Sequence, residues 1–401
     1  MKRKLTILFL SAYCLSIQAQ MGTWNAKASM SIVRSTGVGF SLKGMGYVCA
    51  GAADAATNDL KDLWQYDPST NTWSQKADLP GDGRRELSAF TVGDLAYVGH
   101  GRNVGTTEIF YSFYAYDPSA NTWSPIADCP VQRYTSTGFS IDSIGYMTCG
   151  ILPGVARYKD LYAYNPRTDK WTQKASLPSA ALNRSYACCV SANHKGYLMG
   201  GFEGQQMEDF YVYDPVLDEW AKKANFPGGK RNSVAGFALY GYVYMGMGRD
   251  ATTATYKDWY YYNTGKDVWT KISDHPTDNM TGHATFVIDN VAYTCTGNNR
   301  AGTFMSDVNA FRLNSMSLDN TSSEWIKAFH PDGASYLVVN VFAGDLHIQV
   351  YDITGKLVLN KMELISNKGQ AKIELGQLTK GIYVADINNG KNQGQLKFII
   401  D

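Results

Sequence analysis

The sequence lacks the features that mark two common classes of protein. Its charges nearly cancel, with 37 basic and 36 acidic residues in 401, so it has no basic surplus of the kind that nucleic-acid-binding proteins carry. After the N-terminal segment, no run approaches the roughly 20 apolar residues that a membrane-spanning helix requires. We therefore predict no nucleic-acid partner and no membrane span.

Cysteine is scarce, and its spacing matches neither a disulfide framework nor a zinc site. Besides Cys14, the cysteines are Cys49, Cys129, Cys149, Cys188, Cys189 and Cys295. Most of them lie within predicted strands, where a free cysteine acts as a small apolar side chain. We expect them to be buried, but an exported protein can also oxidise its cysteines, so the sequence leaves their disulfide state open.

Histidine is also rare, with six residues in the chain. Only His100, His275 and His283 belong to one face of the fold predicted below, and they lie in three different repeats. That is a poor arrangement for binding a metal ion. No cofactor and no metal site are predicted.

The first 20 residues, MKRKLTILFLSAYCLSIQAQ, have the pattern of a signal peptide. A basic start precedes an apolar run of about a dozen residues, and the small residue Ala19 follows it. Cys14 suggests a lipoprotein anchor, but Tyr13 stands where such a site needs a small residue. We predict export through the periplasm.

One turn recurs along most of the chain. Its copies are YDPSTNTW (66–73), YDPSANTW (116–123), YNPRTDKW (164–171), YDPVLDEW (213–220) and YNTGKDVW (262–269). The tryptophans that close these turns, together with Trp24 upstream, are 48 to 50 residues apart. A fixed period of this kind usually sets the whole architecture.

Three further series of residues keep the same phase over six copies. The tyrosines are Tyr47, Tyr97, Tyr146, Tyr197, Tyr244 and Tyr293. The glycines four residues later are Gly51, Gly101, Gly150, Gly201, Gly248 and Gly297. The arginines thirteen residues earlier are Arg34, Arg84, Arg133, Arg184 and Arg231, with Met280 in the last copy. We call these five the repeat arginines.

Each unit contains four short strands separated by turn residues, as in 34–42, 45–51, 62–68 and 72–79 of the first copy. About four strands in a repeat of ~50 residues is the pattern of a β-propeller blade. The recurrent turn then joins strands three and four. Its tryptophan begins the outermost strand, where a large ring can cover the gap to the neighbouring blade.

The glycine after strand two, the Tyr-Asp/Asn-Pro turn and the following tryptophan resemble kelch repeats over roughly residues 21–315. Kelch repeats typically carry a glycine pair, and here Gly200-Gly201 alone keeps it. The sixth unit (277–315) has no tryptophan strand, whereas 22–30 has one with nothing before it. We therefore predict an all-β fold, a six-bladed propeller over 21–315 in which strand 22–30 closes the last blade and removes two open sheet edges.

The period stops after Ser315, and a polar linker at 316–326 leads to a second region. Residues 327–401 alternate like strands and predict a small C-terminal β-sandwich. Its segments VYDITGKLV (350–358), GIY (381–383) and KFII (397–400) resemble the C-terminal (Por) sorting domain of type IX secretion cargo in Bacteroidetes. The resemblance implies the type IX secretion machinery as a partner, delivery outside the cell or to its surface, and removal of the domain on maturation. The alternative is an adhesive immunoglobulin-like module.

Blade topology places the repeat arginines and the loops between strands two and three on one face, the candidate binding surface. A near-ring of guanidinium groups there can bind a carboxylate or sulfate, so we predict an anionic glycan or a protein ligand. The predicted ligand-binding residues are Arg34, Arg84, Arg133, Arg184, Arg231, Tyr134 and Tyr186.

A structural role for the same arginines is the competing interpretation. Aspartates recur at the start of strand three, as Asp62, Asp160, Asp209, Asp258 and Asp307. Each arginine can pair with such an aspartate and tie the blade together. Ser112 replaces the aspartate in the second blade, so Arg84 is expected to lack this partner.

The leading functional interpretation is a secreted or cell-surface binding or adhesion module. The alternative is a carbohydrate-active enzyme that resembles sialic acid mutarotases or galactose oxidases. A mutarotase needs acid and base groups beside a carboxylate-binding arginine, and Glu86, Glu203 and Glu208 are on the appropriate face. Acid and base residues inside the channel mouth favour the enzyme, and a mouth filled by Arg–Asp pairs favours a scaffold or adhesin.

Overall fold

The computed structural model describes residues 22–239, 241–252, 254–277, 279–299, 301–313, 327–329, 336–341, 344–352, 356–365, 369–376, 378–379, 381–388 and 393–400. The predicted signal peptide with Cys14 and the predicted linker 316–326 lie outside these residues. Over the described ranges the regular structure consists of 34 strands.

The first 23 strands begin with β1 and then build five blades. β1 covers Gly22–Lys27. Blade 1 contains β2 (Val38–Leu42), β3 (Met45–Ala52), β4 (Asp59–Asp67) and β5 (Thr72–Lys76). Blade 2 contains β6 (Ser88–Val92), β7 (Leu95–Gly99), β8 (Phe113–Asp117) and β9 (Thr122–Pro125). Blade 3 contains β10 (Thr137–Ile141), β11 (Ile144–Thr148), the hairpin β12 (Ile151–Leu152) and β13 (Ala156–Arg157), β14 (Leu161–Asn165) and β15 (Lys170–Lys174). Blade 4 contains β16 (Cys188–Ala192), β17 (Lys195–Met199), β18 (Phe210–Asp214) and β19 (Glu219–Lys223). Blade 5 contains β20 (Ala235–Leu239), β21 (Tyr242–Gly246), β22 (Trp259–Asn263) and β23 (Val268–Lys271).

The sixth blade combines both ends of the propeller. It contains β24 (Asn279–Thr281), β25 (Ala284–Ile288), β26 (Val291–Asn299) and β27 (Phe304–Leu313). β1 pairs antiparallel with β27, from Gly22 opposite Leu313 to Lys27 opposite Val308. The Trp24 indole on β1 packs 5.4 Å from Trp259 of blade 5 and donates to the Ser273 carbonyl at 3.3 Å.

The six antiparallel sheets are arranged as a β-propeller. The innermost strands β2, β6, β10, β16, β20 and β25 contact one another in that order, and β25 contacts β2. These strands surround a central channel, and hydrophobic clusters fill the interfaces between neighbouring blades. The six cysteines from Cys49 onward are free thiols, and all but the half-buried Cys188 are buried.

The recurrent turn joins one blade to the next. The Trp73 indole donates to the Ala28 carbonyl at 2.8 Å, and the Ala28 amide donates to the Asn71 side chain at 3.0 Å. The Tyr66 hydroxyl donates to the same Asn71 oxygen at 2.7 Å, and Asn71 has a left-handed backbone with φ of 55°, a conformation that Asn and Asp tolerate. The same three bonds recur at Asn121, Asp169, Asp218 and Asp267. Each copy of the turn therefore ties its blade to the preceding blade through hydrogen bonds.

The C-terminal region has seven strands. They are β28 (Lys327–Phe329), β29 (Tyr336–Val341), β30 (Gly344–Asp352), β31 (Leu357–Ile365), β32 (Gly369–Glu374), β33 (Gly381–Asn388) and β34 (Gln393–Ile400). One sheet has the order β28-β29-β32, and the other has the order β31-β30-β33-β34. Both contribute to one apolar core, in which Ile373 of β32 packs with Ile348 of β30 and Ile387 of β33.

Candidate functional site

Four of the five repeat arginines are bound to an aspartate of their own blade. Arg34 donates to both oxygens of Asp62 at 2.8 Å and to the Ala50 carbonyl at 3.1 Å. The equivalent pairs are Arg133–Asp160, Arg184–Asp209 and Arg231–Asp258. These four arginine side chains have no exposed surface, and their bidentate bonds offset the cost of burying charge. The geometry matches the structural role that the sequence left open.

Arg84 differs, because its blade has Ser112 in place of the aspartate. It donates to the Ser112 hydroxyl at 3.2 Å and to the Pro80 carbonyl at 3.4 Å, and its guanidinium stacks 3.7 Å from the centre of the Phe110 ring. Burial lowers the pKa of Arg84. In the described parts of the chain no carboxylate pairs with this arginine, yet it is only 1% exposed.

Two residues after each repeat arginine, the backbone turns toward the channel. Thr36, Glu86, Thr135, Tyr186 and Ser233 occupy this position with φ between 53° and 61°, and Gly282 takes it in the sixth blade. We call these six the mouth ring. A left-handed backbone costs a non-glycine residue roughly 1–2 kcal/mol, and such strain often accompanies function.

Hydrogen bonds between blades hold the mouth ring in this conformation. The Glu86 amide donates to the Thr36 carbonyl at 2.8 Å, and the Thr135 amide donates to the Glu86 carbonyl at 3.0 Å. The Tyr186 and Ser233 amides continue the sequence at 3.2 and 3.0 Å, and the Thr36 amide donates to the Gly282 carbonyl. The ring thus runs around the channel, and all six of its residues line one cavity.

The repeated glycine of each blade, four residues after the repeated tyrosine, lies next to the mouth ring. Gly51 has φ of 102°, and its amide donates to the Arg84 carbonyl of the next blade at 2.9 Å. A Cβ at Gly51 would lie 2.7 Å from the Ser35 carbonyl oxygen, so the repeat needs glycine here. The residue after each such glycine faces the cavity in four blades. These residues are Ala52, Arg102, Arg249 and Asn298.

The resulting channel-mouth cavity encloses about 390 Å³. On one side, which we call the acidic side, Arg102 donates to the two Glu86 carboxylate oxygens at 2.6 and 3.4 Å. The Tyr186 hydroxyl reaches from blade 4, past blade 3, and donates to Glu86 at 2.9 Å. Burial, reinforced by the Glu86 charge, raises the pKa of Tyr186, so its phenol stays a proton donor at neutral pH. The Arg102 guanidinium also stacks over the Tyr134 ring at 4.4 Å.

The opposite side of the cavity, which we call the basic side, contains Arg249 and Asn298. Arg249 Nε donates to the Asn232 side-chain oxygen at 3.3 Å. Among the described residues no carboxylate lies within ion-pair distance of Arg249. The Asn298 oxygen accepts hydrogen bonds from the Ser35 hydroxyl at 3.1 Å and from the Thr281 hydroxyl.

The surplus charge of the cavity is positive. Among its described lining residues, Arg85, Arg102 and Arg249 stand beside a single carboxylate, that of Glu86. Arg85 is paired with Asp59 behind the cavity wall, and Arg102 is paired with Glu86. Within this described lining the guanidinium of Arg249 is left uncompensated, and a positive group in a concave low-dielectric site attracts anions.

The comparisons with known proteins agree with this architecture. The family model described as the KLHDC2/KLHL20/DRC7 Kelch-repeats domain matches residues 40–240. The chain belongs to the kelch-repeat family. A solved structure described as "Structure of YjhT" matches this kelch propeller with a TM-score of 0.61 at 15% sequence identity, over 70% of this chain and 96% of that one. That similarity is one of fold.

The C-terminal region matches a family model of its own. The secretion system C-terminal sorting domain covers residues 333–401, so this kelch protein is exported by type IX secretion to the cell surface or beyond. No curated protein matches the sequence. In the part of the chain that the structure describes, no helix is long and apolar enough to cross a membrane.

The structure places some of the predicted tyrosines and glutamates in or beside the cavity and others away from its lining. Tyr186 lies in the cavity, and Tyr134 supports Arg102 at its edge. Of the three glutamates, Glu86 lines the cavity, whereas Glu203 pairs with Arg157 at 3.4 Å. Glu208 accepts a hydrogen bond from Asn225 and is not among the lining residues.

Three lining residues, Arg102, Arg249 and Asn298, were not among the residues predicted from the sequence. Each directly follows the repeated glycine, and this shared position is the signal that could have identified them. For the histidines, burial lowers the pKa of His100, His275 and His283. Across the described residues, no three His, Cys, Asp or Glu side chains form a group able to hold a metal ion.

Proposed function

We propose that this exported kelch protein is a binding module that holds a small, anionic, hydroxyl-rich ligand, such as an acidic sugar, in the channel-mouth cavity. The observation that supports this most directly is the composition of the cavity. It is concave and polar, and one of its arginines, Arg249, has no carboxylate partner in the described part of the chain. Its volume of about 390 Å³ lies in the range of about 300–1,000 Å³ that is typical of small-molecule sites.

The rigidity of the mouth also suits binding. Its lining residues are held by backbone hydrogen bonds between blades, so little order has to be gained when a ligand binds. Donors and acceptors are already in place, with the Tyr186 phenol and the Glu86 carboxylate on the acidic side. In this proposal the repeat arginines stabilise the blades, and none of them contacts the ligand.

A binding measurement tests the proposal. The mature protein is titrated with D-glucuronate, N-acetylneuraminate and uncharged glucose, and is applied to a glycan array. We expect binding of acidic sugars that weakens with added salt, because an exposed charge contribution is screened. Equal binding of charged and uncharged sugars, or no binding of any acidic glycan, contradicts it.

A carbohydrate-active enzyme is the second candidate, and one contact favours it. The Glu86 carboxylate and the Tyr186 phenol are 2.9 Å apart inside the cavity, as a proton acceptor and donor would be for ring opening of a sugar. If the protein is an enzyme of this type, it should speed the interconversion of anomers seen by NMR, and Glu86→Gln should abolish the effect. Unchanged anomer exchange with a bound sugar supports the binding module instead.

For the C-terminal region, we propose that residues 327–401 direct secretion and are removed afterwards. The propeller has its own core and should fold without them. In the native host, a chain that ends at residue 315 should accumulate in the periplasm. Normal delivery of this shortened chain to the cell surface contradicts the proposal.

A further inference from the structure

We propose that the anionic group of the ligand binds on the basic side of the cavity, between Arg249 and Asn298, and that its hydroxyl groups point toward the acidic side. This inference rests on the proposed function and adds an orientation to it. It assigns a carboxylate-binding subsite to two residues that no sequence pattern had marked as functional.

Arg249 is the cavity arginine that no carboxylate of the described residues pairs with. Its partner in the structure is a neutral one, the Asn232 oxygen, bound through Nε at 3.3 Å. Arg85 and Arg102, in contrast, already hold carboxylates. A guanidinium binds a carboxylate best with two parallel N–H groups, and the terminal nitrogens of Arg249 provide them.

The side-chain amide of Asn298 is oriented so that its NH2 group is free to donate. Ser35 and Thr281 both donate their hydroxyl hydrogens to the side-chain oxygen of Asn298. That arrangement fixes which end of the amide faces them, so the NH2 group of Asn298 points away from these two hydroxyls. Asn298 and Arg249 line the cavity from neighbouring blades, so the amide N–H groups and the guanidinium can donate to one anion bound between them.

The acidic side offers an anion no unpaired cation, because Arg102 is bound to Glu86. Glu86 already accepts hydrogen bonds from Arg102 and Tyr186, and a ligand carboxylate, which only accepts, cannot donate to it. Sugar hydroxyls, which donate as well as accept, suit that side. A ligand with one carboxylate at one end and hydroxyls at the other, such as a uronic or sialic acid, therefore fits in one orientation.

The mouth ring gives the ligand access to the basic side. On the acidic side the long side chains of Glu86 and Tyr186 meet across the opening. On the basic side the ring positions hold the small residues Ser233, Gly282 and Thr36. These small side chains cover the basic side less than Glu86 and Tyr186 cover the acidic side.

Two substitutions test the subsite. Arg249→Gln removes the charge, and Asn298→Asp keeps the shape and the oxygen that accepts from Ser35 and Thr281 while replacing the NH2 donor by a negative oxygen. Arg157→Gln is the matched control, because Arg157 is an arginine on blade 3 that pairs with Glu203 and is not a lining residue of the cavity. Each variant and the parent are titrated with D-glucuronate, N-acetylneuraminate and glucose, and thermal melts verify folding.

We expect both substitutions to weaken binding of the acidic sugars on the order of 10- to 100-fold, as the loss of a charged hydrogen bond implies. Neither should change the affinity for glucose, and Arg157→Gln should bind all three sugars like the parent. Full affinity for glucuronate in both folded variants overturns the subsite, although the proposed function survives it. A parent protein that binds no acidic sugar overturns both.

Discussion

The repeat arginines and the mouth ring are two residues apart in sequence and have opposite roles. The arginine is the same residue in five blades, and four copies form a buried ion pair with their own blade. The ring position differs in nearly every blade, and its residues line the cavity. The residues that recur from repeat to repeat therefore build the blades. The positions that vary between repeats line the cavity.

The sixth blade gives the largest test of the repeated framework. A chain that begins at residue 31 lacks β1, with Trp24 packed against Trp259, and leaves β27 without its outer partner. We expect a loss of several kcal/mol, since removing a fully buried Trp costs about 3–5 kcal/mol, and here a half-buried Trp24 is lost together with the pairing of a whole strand. Urea unfolding measures it, and a shortened chain as stable as the mature protein would show that β1 does not close the propeller.

Breaking one repeated ion pair is the next test. Arg133→Ala leaves Asp160, whose side chain is 15% exposed, without its cation, and we expect a loss of about 3 kcal/mol of unfolding free energy, at the low end for a broken buried pair. Arg157→Ala, in the same blade but partly exposed, should cost well below 1 kcal/mol. The two are compared by urea unfolding. A stable Arg133→Ala protein that has lost its ligand would instead make the repeat arginines the binding groups.

A half-buried histidine that lines the channel-mouth cavity makes the sixth blade sensitive to acid. Burial lowers the pKa of His283 to about 4, below its value of about 6.5 in the unfolded chain. The unfolded state then binds the proton more readily, so the stability is complete above pH 6.5 and falls as the pH drops toward 4, by roughly 3 kcal/mol. His283→Asn should flatten this part of the profile of unfolding free energy against pH. An unchanged profile would mean that this histidine is not responsible.

The mouth ring should give the smallest change in stability. Tyr186→Phe removes the hydrogen bond to Glu86, and we expect a loss of about 1–2 kcal/mol in stability with a larger relative change in sugar affinity. Tyr66→Phe is the matched control at a repeated tyrosine, since it removes a bond to Asn71 in the turn and is remote from the cavity. A greater effect of the control on sugar binding would contradict the comparison.

The sequence alone was sufficient to predict the features that recur from repeat to repeat. The spacing of Trp73 and its equivalents predicted the propeller, and Ser112 correctly marked Arg84 as lacking the aspartate. The cavity contacts join residues that no period relates. Tyr186 meets Glu86 from a blade two positions away, 100 residues along the chain, and this contact depends on the radius of the channel and the left-handed backbone at both residues. Arg249 differs from the other cavity arginines because no carboxylate of the described ranges pairs with it, and only the three-dimensional placement reveals this.

The most direct test of the division between framework and site is a paired titration with D-glucuronate. Arg249→Gln and Arg133→Ala are measured at a temperature at which both remain folded. The account predicts that Arg249→Gln loses affinity for glucuronate on the order of 10- to 100-fold with an unchanged melting temperature, and that Arg133→Ala melts earlier but binds like the parent. Loss of binding in Arg133→Ala together with full binding in Arg249→Gln would contradict it.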